Sequence, residues 1–112
     1  QHRALERLGF RALMGMARTG SNFSNGSGDY VIAFSTNTSL RSGPDAGTPQ
    51  AVRTLPTEDM SPLFQAVIEA TEEAIYNSLF MAESVSGFGG RLVEALPLER
   101  VREILTEYDV LR

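Results

Sequence analysis

A chain of 112 residues with 42% hydrophobic content is at most one domain, sized for a modest core and too apolar for wholesale disorder. It has no cysteine, which removes disulfides, thiolate metal sites and cysteine nucleophiles, and its net charge of −4 comes with no basic stripe for a nucleic acid. All 10 basic residues are arginine, so no lysine is present to act as Schiff base or general base.

The first predicted element is a helix from about His2 to Arg18. Leu5, Leu8, Ala12, Leu13 and Met16 recur at three- and four-residue spacing, while Arg3, Glu6, Arg7 and Arg11 fall mostly elsewhere. Gly9 and Gly15 each weaken such a helix by roughly 1 kcal/mol relative to alanine. Their presence predicts close packing of this helix on a neighbouring backbone. Thr19 to Asp29 is a polar loop punctuated by glycine, a composition that favours turns. Tyr30 to Thr36 is the best strand in the chain, aromatic and β-branched, and its nearly unbroken apolar character predicts burial on both faces.

Asn37 to about Met60 is rich in Ser, Thr, Gly and Pro and reads as a long surface loop. A second helix follows, with Ser61 as N-cap and Pro62 in its first turn. Phe64, Val67, Ile68, Thr71, Ile75, Leu79 and Ala82 mark one face as far as about Glu83, and Glu69, Glu72 and Glu73 lie mainly on the solvated side. Beyond Gly87 to Gly90, Arg91 to Leu96 reads as a short strand or extended connector. Pro97 then opens a last helix carrying Leu98, Val101, Ile104, Leu105 and Tyr108 on one face. One strand cannot make a stable sheet, so these helices call for partner strands from elsewhere.

No apolar run is long enough to cross a bilayer, and Gln1-His2-Arg3 does not open a signal peptide. A cytoplasmic location is the expectation. The lone His2 has no second histidine or carboxylate cluster beside it in the sequence, so it reads as solvated, and a histidine-based serine triad is not expected within the chain. The richest polar segment is Ser21 to Asp29 (SNFSNGSGD). Composition alone leaves two readings: an ordinary solvated turn, or hydroxyls, amides and one carboxylate converging just before a rigid strand. A phosphate-cradling loop fits poorly, because the segment does not open a helix and no GK[ST] follows. The sequons at Asn22 and Asn37 are too common a pattern to weigh without a secretory context.

Three stretches, Ala17-Arg18-Thr19-Gly20-Ser21, Ser24-Asn25-Gly26-Ser27-Gly28-Asp29 and Ile32-Ala33-Phe34-Ser35-Thr36, carry a resemblance to a known family. It continues through Leu63 to Ile75 and Glu94 to Arg100, spanning nearly the whole chain in order, with Asn37 to Glu58 matching least. The sequence resembles the DmpA-like aminopeptidases, the L-aminopeptidase D-amidase/D-esterase and β-peptidyl aminopeptidase enzymes.

The resemblance implies an α/β fold, part of an αββα sandwich of the DmpA/ornithine acetyltransferase type, completed by strands from an α chain of the same precursor. On that reading residues 1–112 are a single partial domain, a portion of the β chain released when the precursor cuts itself before a Ser or Thr. The new terminal residue is then the nucleophile. Its free α-amino group titrates at about 7.7–8.0 and acts as general base for its own hydroxyl. Ser27 would orient that hydroxyl or amine and Asp29 would hold the developing positive charge, with Asn25, Gly26 and Gly28 supporting the loop or substrate. Relatives with Glu at the position of Asp29 have a longer arm.

Gln1 cannot serve as nucleophile. That residue is expected one strand and turn upstream, leaving the chain inactive alone. The implied activity is hydrolysis of amino-terminal residues from short peptides, amides or esters, without metal or cofactor. An assembly of αβ units, commonly a tetramer in the family, is the implied partner arrangement, with no nucleic acid or membrane. A non-catalytic structural domain without the nucleophile, or an acyltransferase of the ornithine acetyltransferase type, are the alternatives.

Overall fold

The computed structural model describes residues 2–41, 47 and 51–111. The chain divides into two compact units, Gln1–Glu72 and Glu73–Arg112, and the long second helix runs through the division.

In the first unit, α1 spans His2–Arg18, as its periodicity predicts. Its end is closed by Thr19, whose N–H and Oγ1 both donate to the Met16 carbonyl at 3.1 and 2.7 Å. Gly20 follows at φ 96°, a left-handed backbone that glycine adopts without steric cost. The second helix, α2, spans Ser61–Phe80 and ends short of the expected Glu83. Ser61 is not its cap. A 3₁₀ turn over Thr57–Met60 leads directly into the helix and leaves Ser61 with helical φ −57° and ψ −42°. Glu58 and Asp59 sit in that first turn, where carboxylates complement the positive end of the helix dipole.

Four successive contacts join the helices. The Arg7 guanidinium reaches the Met60 sulfur at 3.9 Å, and Arg7 and Arg11 lie 4.7 and 4.0 Å from the centre of the Phe64 ring. Gly15 lies against Ile68 and Thr71, and Arg18 pairs with Glu72 at 3.1 Å. Since the partners advance together along both chains, α1 and the first half of α2 run side by side in the same direction. Met60 is the buried hydrophobic residue among those described. Gly15 bears out the expected close approach: a Cβ there would stand 2.5 Å from the Ile68 carbonyl oxygen and 2.7 Å from Thr71 Cβ.

Two helices running the same way need a return path, and the segment at 30–36 lies on it. Its seven residues reach ~23 Å when extended, close to the ~25 Å of α1. The expected strand forms no ladder among the described residues, because a strand is completed only by a neighbour that takes its N–H and C=O groups. Its side chains still alternate as a strand's do. Val31 and Ala33 pack toward Gly9 of α1, while Tyr30, Ile32 and Phe34 are 91%, 87% and 74% exposed. Burial on both faces is therefore not found: residues 30–36 are all exposed, with Val31 at 44% on the face turned toward α1 and the opposite apolar face fully open. In the loop that follows, Asn37 caps a 3₁₀ turn at Thr38–Leu40 through its Oδ1, which accepts from Ser39 N at 3.0 Å. Much of the rest of the expected loop, at 42–46 and 48–50, lies outside the described residues.

The second unit holds the rest of α2, a hairpin and a helix. β1 (Val85–Ser86) pairs antiparallel with β2 (Leu92–Val93), Val85 opposite Val93. The short strand expected after Gly90 is thus present, with a partner that sequence patterning did not mark. Gly89 and Gly90 take φ 71° and 74° in the turn, and Gly87 N donates to the Arg91 carbonyl at 2.8 Å. α3 spans Leu98–Glu107, preceded by Pro97 at φ −75°. It closes in a Schellman arrangement: Asp109 takes φ 54°, its N–H donates to Thr106, and Val110 N–H donates to Leu105 at 2.8 Å.

Candidate active site

The loop between α1 and the extended segment is built from turns that present side chains to solvent. Ser27 N–H donates to the Ser24 carbonyl at 3.0 Å, closing a β-turn over Ser24 to Ser27. Gly26 occupies its third position at φ 96°, where a side chain would be strained, and Asn25 sits at the second. Upstream, Ser24 Oγ donates to Asn22 Oδ1 at 2.6 Å across Phe23, which itself takes φ 52°. Left-handed backbone at an aromatic residue is uncommon.

The turn delivers Ser27 beside Asp29. Ser27 Oγ donates to Asp29 Oδ2 at 2.9 Å, so the two polar residues singled out in the sequence are brought into one hydrogen-bonded pair. Ser27 is exposed and Asp29 half-buried. With its proton directed at the carboxylate, the Ser27 oxygen keeps its lone pairs free to accept from an incoming N–H or O–H. Asn25 and Gly26 form the turn itself, and Gly28 links the pair.

Asp29 also lines an open cleft of ≈ 370 Å³. One wall is the segment itself, through Asp29, Val31 and Ala33 at strand spacing. The other is a stripe of α1: His2, Leu5, Glu6, Gly9, Phe10 and Leu13. The cleft is apolar along its length, with His2, Glu6 and Asp29 as the ionisable groups on it. Sequence reasoning set His2 aside as solvated and placed Glu6 off the apolar stripe. Their spacing held the signal, since His2, Glu6 and Phe10 follow one another at i+4 beside the Leu5-Gly9-Leu13 row. Among the described residues no group of His, Cys, Asp and Glu is arranged to hold a metal ion, and no helix is long and apolar enough to cross a membrane.

Comparison with known proteins places the chain in a family. Residues 1–93 match the model of peptidase family S58. The β-peptidyl aminopeptidase BapA of Sphingosinicella microcystinivorans is 42% identical over 105 residues, which cover 93% of this chain and 26% of that protein. Its namesake from Sphingosinicella xenopeptidilytica is 34% identical over 101 residues, 90% of this chain and 25% of that protein. The chain thus spans about a quarter of the length of these curated relatives.

Two solved structures match its fold at a TM-score of 0.78. The PH0078 protein from Pyrococcus horikoshii OT3 is 39% identical, over 95% of this chain and 30% of that one. The L-aminopeptidase D-Ala-esterase/amidase from Ochrobactrum anthropi is 34% identical, over 100% of this chain and 31% of that one, and is described as a variant of the Ntn hydrolase fold. The expected α/β class and the resemblance to DmpA-like enzymes both hold: the chain belongs to peptidase family S58.

Proposed function

We propose that this chain is part of the small subunit of a self-cleaving N-terminal-nucleophile amidase, and that Ser27 and Asp29 support its nucleophile. The observation that carries the reading is the 2.9 Å hydrogen bond from Ser27 Oγ to Asp29, presented by a tight turn at the start of an extended segment. The family membership and the relatives' greater length support the rest: a precursor cut before a Ser or Thr upstream of Gln1, and an α chain that supplies the remaining strands. The open apolar face of Tyr30, Ile32 and Phe34 is the surface such strands would cover. Association of αβ units into a larger oligomer is part of the same proposal.

In this scheme the nucleophile's oxygen attacks the substrate carbonyl carbon while its own α-amine takes the hydroxyl proton. The amine becomes an ammonium at that moment. Ser27 Oγ accepts a hydrogen bond from it, and the Asp29 carboxylate stabilises its charge without having to reorganise. Collapse of the tetrahedral intermediate breaks the C–N or C–O bond. The ammonium proton goes to the leaving group, and water then releases the acyl group. The substrates are amides or esters of amino-terminal residues, L-, D- or β-aminoacyl, as the relatives' names describe for those enzymes.

The test is amino-terminal sequencing of the mature small subunit purified from cells that express the whole gene. A Ser or Thr at the new terminus, with a larger chain co-purifying, is the expected result. An uncut precursor, or a terminus bearing any other residue, sinks the proposal.

A further inference from the structure

We infer that Asn25-Gly26 is a self-modification site, at which attack by the Gly26 backbone nitrogen converts Asn25 to aspartate and isoaspartate. The chemistry belongs to the loop alone; its effect on turnover rests on the amidase reading above. In the first step the Gly26 nitrogen bonds to Asn25 Cγ and the bond from Cγ to Nδ2 breaks. Nδ2 leaves as ammonia, taking the Gly26 amide proton, and a five-membered cyclic imide remains. Water then opens the ring. Attack at Cγ gives aspartate, and attack at the main-chain carbonyl gives isoaspartate. Water is the one co-reactant.

Asparagine is a thermolabile residue, but its neighbours decide how labile. The sequence has four. Asn22 Oδ1 accepts from Ser24 Oγ at 2.6 Å, and Asn37 Oδ1 accepts from Ser39 N and Oγ at 3.0 and 2.9 Å. Both carboxamides are held, and the side chains of Phe23 and Thr38 crowd the nitrogens that would attack them. Asn77 lies inside α2, where the hydrogen-bond ladder fixes the backbone. Asn25 is different on each count. It is exposed, and its carboxamide has no hydrogen-bond partner among the described residues. The Gly26 N–H takes no part in the backbone hydrogen bonds of the turn, and nothing stands within 4 Å of where a Cβ would be.

Ring closure requires Asn25 to rotate out of the turn. One exposed hydrogen bond closes that turn, from Ser27 N–H to the Ser24 carbonyl at 3.0 Å, and exposed loop structure opens at little cost in free energy. The loop borders a site that has to admit substrate, so water reaches it in the assembled enzyme as well. The consequence falls on Ser27. Isoaspartate carries the main chain through Cβ and Cγ and so adds an atom to the turn that delivers Ser27 beside Asp29. The pair loses its register, and a displacement of about 1 Å can cost on the order of a hundredfold in the chemical step.

The test ages the whole mature protein in warm, mildly alkaline buffer. Peptides containing each asparagine are analysed by mass, with isoaspartate scored apart from aspartate, and kcat is followed on an aminoacyl anilide. Asn25 is expected to convert first, isoaspartate in excess, while Asn22, Asn37 and Asn77 stay intact. Molecules carrying isoaspartate should turn over at least about tenfold more slowly. Asn25→Gln, which would have to close a larger ring, should hold its own starting rate over the same period; if it does not mature, Asn25→Ser takes its place. Fresh Asn25→Asp carries the charge without the added atom and should keep more of the rate than the isoaspartate form. An Asn25 that stays intact, or converts no faster than Asn22 and Asn37, overturns the inference. So does full turnover in protein bearing isoaspartate, or an Asn25→Asp variant as slow as that form. Fresh protein that does not hydrolyse the probe, or does so equally with Ser27→Ala, overturns the amidase reading instead and leaves the mass result standing.

Discussion

The two long sides of α1 are finished differently. On one, Arg7, Arg11, Gly15 and Arg18 follow each other at four- and three-residue steps and meet α2 at every step. On the other, His2, Leu5, Gly9 and Leu13 look into an open cleft whose far wall is Asp29, Val31 and Ala33. The closed side combines these arginines and Gly15 with Ala4 and Leu8, half-buried on the same side by helical spacing, while the open side is mostly apolar apart from His2 and Glu6. Arginine stems and guanidiniums can cover an aromatic ring as effectively as aliphatic chains do. An apolar stripe, by contrast, is satisfied only when its partner is present. Burial on α1 is therefore set by which partners are at hand.

Substitutions can break or sharpen this contrast, the largest effect first. Gly15→Ala should destabilise the protein by about 1–3 kcal/mol in chemical denaturation, because its Cβ meets the Ile68 backbone and cannot turn aside. Unchanged stability would mean that α1 and α2 are not in close contact. Phe64→Leu keeps apolar volume but removes the ring beneath two guanidiniums, and a loss of about 1 kcal/mol is expected. Gly9→Ala tests the open side with the same chemistry as Gly15→Ala. Its Cβ would stand 3.5 Å from Val31 Cγ1, an ordinary contact, so the helix-propensity gain of up to about 1 kcal/mol should survive. A loss comparable to that of Gly15→Ala would show the cleft to be closed. Arg18→Gln should cost least, about 0.5 kcal/mol or less, and the difference should fade in high salt, since its pair with Glu72 is solvent-exposed.

The sequence made the helices readable because their signals are local. α1 shows its apolar spacing, and α3 shows Pro97 followed by a stripe from Leu98 to Leu105. The start of α2 was read within one residue, but Ser61 was misassigned as its cap because the preceding Thr57–Met60 turn carries no hydrophobic period, only two carboxylates suited to a helix start. The segment at 30–36 has strand composition and strand alternation but no ladder, since pairing is a property of two segments and a single one cannot encode it. β1 was missed for the opposite reason. Its two residues, Val85 and Ser86, are too few to show a pattern.

At the site, Ser27 and Asp29 were legible through motif resemblance. Composition left their loop open between a solvated turn and a site, and their hydrogen bond depends on backbone that only coordinates reveal.

The account rests on the Ser27–Asp29 pair, and the most direct measurement is kcat for hydrolysis of an aminoacyl amide by the mature whole protein with Ser27→Ala. Removing a preorganised partner of the reacting group should lower kcat on the order of a hundredfold, with the melting temperature nearly unchanged because Ser27 is exposed. Wild-type turnover in that variant, from protein shown to be fully cleaved, would contradict the account.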